Sequence, residues 1–286
     1  METRHFTIVF SLLLLESLAS DTSRSIPDDN LAYPVLITLR TGSTGSGFFL
    51  NTSTNVYLVT ARHVLMDGQA ASVQCPLAEL VSYSGDPDDH TANRIVLDLG
   101  LLFSNKCVKA HTTCDVMAVR LFSSVTNGVH CPRGQMAALP GVAVAQSSSN
   151  GVVSVKLDAV KRYDDVLVAN EVYLFGNPSS LGIQEIPQLD PFRPLLRKGI
   201  VAALNDKSHS IVLDCPAYPG SSGGPVLEAD SDHIGRQMRV IGVVCQFVPN
   251  AELWVNASNG FANRSISNSG YSIAIPMDPV LELIGL

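Results

Sequence analysis

Tyr33–Leu39, Gly47–Leu50 and Val56–Thr60 are β-branched or aromatic runs, each bounded by Gly, Ser, Thr or Asn, the pattern of strands separated by turns. The same pattern predicts strands at Arg94–Leu99, Val116–Leu121, Val152–Leu157, Glu171–Phe175, Gly199–Leu204, Ser210–Cys215, Pro225–Leu227, Met238–Val244 and Tyr271–Ile275. Helical periodicity is convincing only at Pro279–Ile284, behind a capping residue at Asp278. So many strands with so little helix predict an all-β sandwich or barrel rather than alternating βα units. Residues 122–151 are rich in Gly, Pro and Ser without a strong period, and read as a connection between two β halves. Asp86–His90 and Ser258–Ser269 read as surface excursions, the second mostly polar.

Ahead of this body, Arg4 and His5 precede Phe6–Leu15, where eight of ten positions are apolar, and small residues follow at Ser17, Ala19 and Ser20. That layout predicts a secretory signal peptide over residues 1–19, cleaved after Ala19. A membrane anchor is disfavoured, because a spanning helix needs about 20 apolar residues and Glu16 ends this run early. The mature chain, residues 20–286, is therefore expected to be exported, periplasmic or extracellular, without stable membrane insertion. With 46% hydrophobic and 16% charged residues the chain can bury a core, which excludes disorder. A net charge of −7 and the lack of any Lys/Arg run argue against a nucleic-acid partner. Asn51, Asn256 and Asn263 begin N-x-S/T sequons, relevant only if the exporting cell glycosylates.

Three segments, far apart in sequence, carry chemistry. In Val59-Thr60-Ala61-Arg62-His63-Val64 a hydrophobic strand ends in a histidine; in Cys114-Asp115-Val116-Met117 an acid opens a buried strand; in Pro219-Gly220-Ser221-Ser222-Gly223-Gly224-Pro225 a serine sits among glycines. Serine is a weak nucleophile and needs a base to take its proton. Histidine titrates in the range that role requires, and a carboxylate fixes its tautomer and stabilises the imidazolium. Acyl transfer also places negative charge on the carbonyl oxygen, which needs preorganised backbone N–H donors. Gly220 and Ser222 are the candidate donors, and Gly223 and Gly224 allow backbone conformations that other residues disfavour.

The T-A-x-H, D-V-x-A-V and G-x-S-G-G-P segments, in that order, resemble the chymotrypsin-fold serine peptidases, and most closely the bacterial HtrA/Deg type. Val172-Tyr173-Leu174-Phe175-Gly176-Asn177-Pro178, Asp214–Pro225 and Tyr271–Pro276 resemble further blocks of that family, so the similarity spans roughly residues 32–280. The resemblance implies two antiparallel β-barrels with a cleft between them: an N-terminal barrel over about 31–122, a connection over 123–151 and a C-terminal barrel over 152–286. It implies His63 as general base, Asp115 as orienting acid, Ser222 as nucleophile, and Gly220 and Ser222 as the oxyanion hole. Hydrolysis of peptide bonds in protein or peptide substrates would need no cofactor or metal. Three features depart from family patterns. No Ile-Val-Gly-Gly activation segment is present, position 221 is Ser where digestive proteases have Asp, and no PDZ module follows Pro276.

Other readings compete with this one. A GxSxG nucleophile elbow requires a helix after the serine and a late histidine, but Pro225 follows and the last histidine is His233. The subtilisin order fails because the best acid follows His63. Cys107, His111 and Cys114, with His130 and Cys131, have spacings that zinc would accept, yet a disulfide or isolated thiols is the expected state in an exported chain. A bridge between Cys215 and Cys245 would stiffen a pocket, and spacing alone leaves the pairing open. In the fold resembled, the base of the S1 pocket (the site for P1, the residue before the scissile bond) falls at Pro216. The wall falls at Val243, Val244 and Cys245, so small or medium aliphatic P1 residues are expected. Oligomeric state is not legible. The competing function is a catalytically inactive binding protein on the same fold.

Overall fold

The computed structural model describes residues 31–67, 72–86, 88–126, 129–130, 135–177, 186–190, 192–232, 235–255 and 258–286. The expected signal peptide, Cys131, His233 and Asn256 lie outside these residues. The first lobe comprises β1 (Pro34–Leu39), β2 (Thr44–Asn51), β3 (Asn55–Thr60), β4 (Leu77–Ser82), β5 (Asn93–Asp98), β6 (Val108–Ala110) and β7 (Met117–Ser123). A small hairpin of β8 (Val125–Thr126) and β9 (Val129–His130) leads to β10 (Ala137–Ala138), β11 (Val142–Gln146) and β12 (Val155–Lys156). These form a curled ten-stranded sheet in the order β10-β7-β3-β2-β1-β4-β5-β11, with β6 on β7 and β12 parallel to β2. The second lobe is a closed barrel, β13-β14-β15-β18-β17-β16, built from β13 (Glu171–Gly176), β14 (Leu195–Asn205), β15 (Ser210–Asp214), β16 (Pro225–Asp232), β17 (Gly235–Val255) and β18 (Ala262–Pro276). Short helices α1 (Arg62–Leu65) and α2 (Leu99–Ser104) serve the first lobe, and α3 (Asp278–Ile284) ends the chain.

The two-lobed all-β architecture follows from strands that are apolar on both faces, so that each strand serves two cores. In β2, Phe49 enters the core of the first lobe, while Phe48 enters a second core lying between the lobes. Leu58 and Val59 of β3 divide in the same way. In β13, Val172 and Leu174 fill the closed barrel, while Tyr173 and Phe175 face the inter-lobe core. Met277 and Val280, at the start of α3, seal that core. Three packed layers thus run through the molecule, and the middle one fixes how the lobes sit.

The structure corrects several local readings. Residues 142–146, expected within a connection, pair with β5 as an edge strand of the first sheet. Leu99 ends no strand; it begins α2, because Asp98 caps that helix by accepting from the Leu101 N–H at 2.8 Å. The cap of α3 is Met277, while Asp278 accepts from the Tyr163 N–H and pairs with Arg162. Ser258–Ser269, expected to be a polar excursion, largely belongs to β18, which pairs residue by residue with β17 out to Val255↔Ala262.

Candidate active site

Residue 63 sits at the mouth between the lobes because β3 ends at Thr60 and turns straight into α1. Asp115 lies on the loop that enters β7, the neighbour of β3. It receives His63 twice, from the backbone N–H to Oδ1 at 3.0 Å and from Nδ1 to Oδ2 at 2.5 Å. The Nδ1 contact leaves Nε2 of the ring without a hydrogen-bond partner among the described residues. Further bonds hold this frame. The Arg62 N–H donates to the Asp115 carbonyl at 3.3 Å, the Arg62 guanidinium to the His111 carbonyl at 3.0 Å, and the Gln74 amide to the His63 carbonyl at 2.8 Å.

The serine loop lies on the other lobe. Ser221 N–H closes a turn onto the Tyr218 carbonyl at 2.9 Å, with Pro219 second and Gly220 third at φ +86°. These are the features of a type II turn, whose central peptide is flipped relative to type I. The flip leaves the Gly220 N–H without an acceptor among the described residues, and the Ser222 N–H likewise. Gly223, at φ +89°, continues the loop and donates to the Val244 carbonyl at 2.7 Å. The Ser222 hydroxyl makes no hydrogen bond to a described residue.

Residues not anticipated from the sequence tie this loop to its surroundings. Ser46 of β2 donates from its hydroxyl to the Gly220 carbonyl at 2.6 Å and from its N–H to the Ser222 carbonyl at 2.8 Å. Thr60 fixes Ser46 in turn, donating to its carbonyl at 2.6 Å. From β18, Ser272 donates to the Cys215 carbonyl at 2.7 Å and Asn268 to the Ala217 carbonyl at 2.6 Å. The Arg197 guanidinium lies 4.3 Å over the Tyr218 ring. Only the Gly-Ser-Gly stretch around Ser46 carries a sequence signal, and it reads as a turn.

The expected pocket residues separate. Pro216 is half-buried, but Val243 and Val244 are wholly buried on opposite sides of β17, in the inter-lobe core and the barrel core respectively. Cys245 is the extra residue of a bulge between Val244 and Gln246 and donates to the Ile273 carbonyl at 3.4 Å. Burial, with the nearby Asp115 charge second, pushes its thiol up to about 12. Burial likewise pushes the Cys215 thiol up to about 11. Cys75, Cys107, Cys114, Cys215 and Cys245 are all free thiols, so no Cys215–Cys245 bridge exists. His111 accepts from the Cys114 N–H at 2.9 Å through Nδ1, and its Nε2 lies 3.5 Å from Glu282, so both ring nitrogens are engaged in holding the loop before Asp115.

A family model of the trypsin-like peptidase domain matches residues 45–235, about two-thirds of the sequence. The chain belongs to that family and is a serine endopeptidase by class, acting on peptide substrates. No curated protein sequence matches it. Among solved structures it is similar to Deg5, with a TM-score of 0.49, 16% identity, and 88% of this chain and 90% of that chain covered. It is also similar to the serine endoprotease from Yersinia pestis, with a TM-score of 0.45, 14% identity, and 90% and 65% of the two chains covered. For the HtrA-type protease AlgW the TM-score is 0.48 at 17% identity, with 91% and 61% covered. The chain thus spans less than two-thirds of the latter two. Among the described residues no helix is long and apolar enough to cross a membrane.

Proposed function

We propose that this chain cleaves peptide bonds through a Ser222–His63–Asp115 triad and an acyl-enzyme intermediate. The observation that carries the reading is the pair of hydrogen bonds from His63 to the Asp115 carboxylate, which orients the imidazole before any substrate arrives. His63 removes the Ser222 proton as the hydroxyl attacks, then returns it to the leaving amine; water repeats the sequence on the ester. The unengaged N–H groups of Gly220 and Ser222 receive the negative charge of the tetrahedral oxygen. The Ser222–His63 hydrogen bond forms on substrate binding, since such contacts are often loose in the free enzyme. The protein works after export, with its peptidase domain over residues 20–286.

At P1 the reading is a small or medium aliphatic side chain, because Pro216 supplies no charge at the pocket base. Good cleavage after Arg but not after Val or Ala would sink that part. The test of the triad is a fluorophosphonate probe, which should label the wild-type protein at Ser222 and fail on Ser222→Ala. A folded wild type that stays unlabelled at every pH from about 6 to 9 favours the inactive binding protein instead.

A further inference from the structure

Past Phe247 the strands β17 and β18 leave the barrel as a two-stranded arm, paired from Pro249↔Asn268 to Val255↔Ala262. Opposed residues of an antiparallel pair share a face. One face therefore carries Pro249, Ala251, Leu253, Val255, Ala262 and Ile266 with Asn268 and Arg264, and the other carries Asn250, Glu252, Asn263, Ser265 and Ser267 with Trp254. On the apolar face Leu253 is 68% exposed, Val255 61% and Ile266 60%, so no described residue of the chain covers it. An isolated hairpin is marginal in water. An apolar face kept open on one is available to a partner.

The arm continues the wall of the cleft. Val244 exchanges hydrogen bonds with Gly223 and Gly224, immediately after Ser222, and among the described residues β17 pairs only with β18 from Cys245 outward. Among the described residues its other edge is thus open to a further strand from beside Ser222 toward the arm, interrupted at Pro249, which has no N–H to offer. At its base the arm is tied to the serine loop by the Asn268 bond to Ala217. We propose that the apolar face and free edge of the arm form an exosite for an extended, apolar, weakly charged segment of the polypeptide being cleaved; this rests on the peptidase reading above. A chain added antiparallel to β17 runs from the arm toward Ser222, so the bound segment lies N-terminal to the scissile bond. At one residue per strand position it begins about six residues upstream.

Size and charge favour this occupant. Seven residue pairs at about 3.4 Å, two strands wide, give a footprint of roughly 240 Å², far below the ~800 Å² per partner of a stable dimer. Arg264 and Glu252 are the only charges on the paired stretch, which lacks the basic cluster that draws a helix or hairpin to anionic lipid.

The test compares peptides of about 20 residues that share one cleaved central block and carry a Val/Ile/Leu segment upstream, downstream, or replaced by Ser/Gly. For the wild type, the upstream peptide should be cleaved with at least about tenfold higher kcat/KM than the Ser/Gly peptide, and the ratio should collapse toward one in Leu253→Thr/Val255→Thr/Ile266→Thr, whose residues keep strand propensity. Equal rates for all three peptides, or a ratio unaltered by the triple variant, overturn the proposal. So does a wild type that is oligomeric or floats with phosphatidylglycerol vesicles while the triple variant does neither, at an unchanged ratio. If no peptide is cleaved at all, the peptidase reading has failed. Anisotropy of the labelled upstream peptide on Ser222→Ala protein, with and without the three arm substitutions, then decides the exosite alone.

Discussion

Gly223→Ala isolates the contact between the serine loop and the first lobe. A Cβ built at Gly223 would lie 2.1 Å from the Ser46 carbonyl oxygen, 2.2 Å from Thr60 Oγ1 and 2.9 Å from the Ala61 nitrogen. Two of these are backbone atoms of β2 and of the β3–α1 turn, so no rotamer change relieves the clash. The residue also sits at φ +89°, which costs an alanine about 1–2 kcal/mol by itself. Overpacking adds about 1–3 kcal/mol. Moving the loop away stretches the Gly223–Val244 and Ser46–Ser222 bonds, each worth about 1 kcal/mol. The expected loss is about 3–6 kcal/mol, a fall in Tm on the order of 10 °C or more for a chain of this size. Gly176→Ala is the matched control: among the described residues its Cβ would meet only the Ser221 hydroxyl, at 3.3 Å, and its backbone φ is ordinary. It should change stability by less than about 1 kcal/mol. Thermal unfolding followed by near-ultraviolet circular dichroism, with fluorophosphonate labelling rates, reads both variants. A Gly223→Ala protein that melts within about 2 °C of wild type and labels at the same rate refutes the claim that β2 and β3 back the serine loop.

Asp115→Asn should keep the fold but lower kcat by roughly 10⁴-fold, because the amide favours the wrong histidine tautomer; steady-state kinetics on a cleaved peptide checks it. The raised thiols of Cys215 and Cys245 make a signed prediction for pH. Their protonated forms stabilise the fold fully below the unfolded thiol range near 9, and that stability is lost as pH rises toward the folded values. Tm should therefore fall above pH about 9, and less steeply in Cys245→Ala. Lys161→Met removes the partner of Glu228, a fully buried carboxylate 3.0 Å from Lys161 Nζ. It should cost about 3–5 kcal/mol at neutral pH, largely restored by adding Glu228→Gln, as read by urea unfolding.

Among the strands most legible in the sequence were those with both faces buried. β3 and β13 are unbroken apolar runs because alternate residues feed different cores, and no polar period competes with the signal. β4 was hidden by Glu79, whose side chain is satisfied by Arg94 across the sheet. The start of β2 was hidden by its glycines, which suggest a turn. Gly47 is needed instead because a Cβ there would lie 2.8 Å from the Val59 carbonyl of the neighbouring strand. The outer part of β18 was hidden because its Asn and Ser residues face solvent, and only pairing with β17 makes them a strand. In the site, the segments around His63, Asp115 and Ser222 were legible because each combines a chemical residue with an unusual neighbour. Ser46, Asn268 and Ser272 each act through a side-chain hydrogen bond to a carbonyl more than fifty residues away, and no local pattern encodes such a partner.

These distant bonds bear on how the site tolerates change. The stretch from Cys215 to Gly223 is held at its carbonyls by Ser272, Asn268 and Ser46, and at the Gly223 N–H by Val244. The donors lie on β18 and on β2, in different lobes, and the acceptor at Val244 lies on β17. Each bond contributes about 1 kcal/mol, so removing one leaves the turn geometry to the others. A steric wedge behaves differently. A methyl group at Gly223 pushes on β2 and β3 at once and cannot be accommodated without parting the lobes, whose contact is the shared core around Phe48, Val59, Tyr173 and Phe175. Removal of a donor such as Ser46 and insertion of bulk such as Gly223→Ala should therefore differ in kind. The first loosens one carbonyl within an otherwise fixed loop, whereas the second sets the inter-lobe core against the geometry of Gly220 and Ser222.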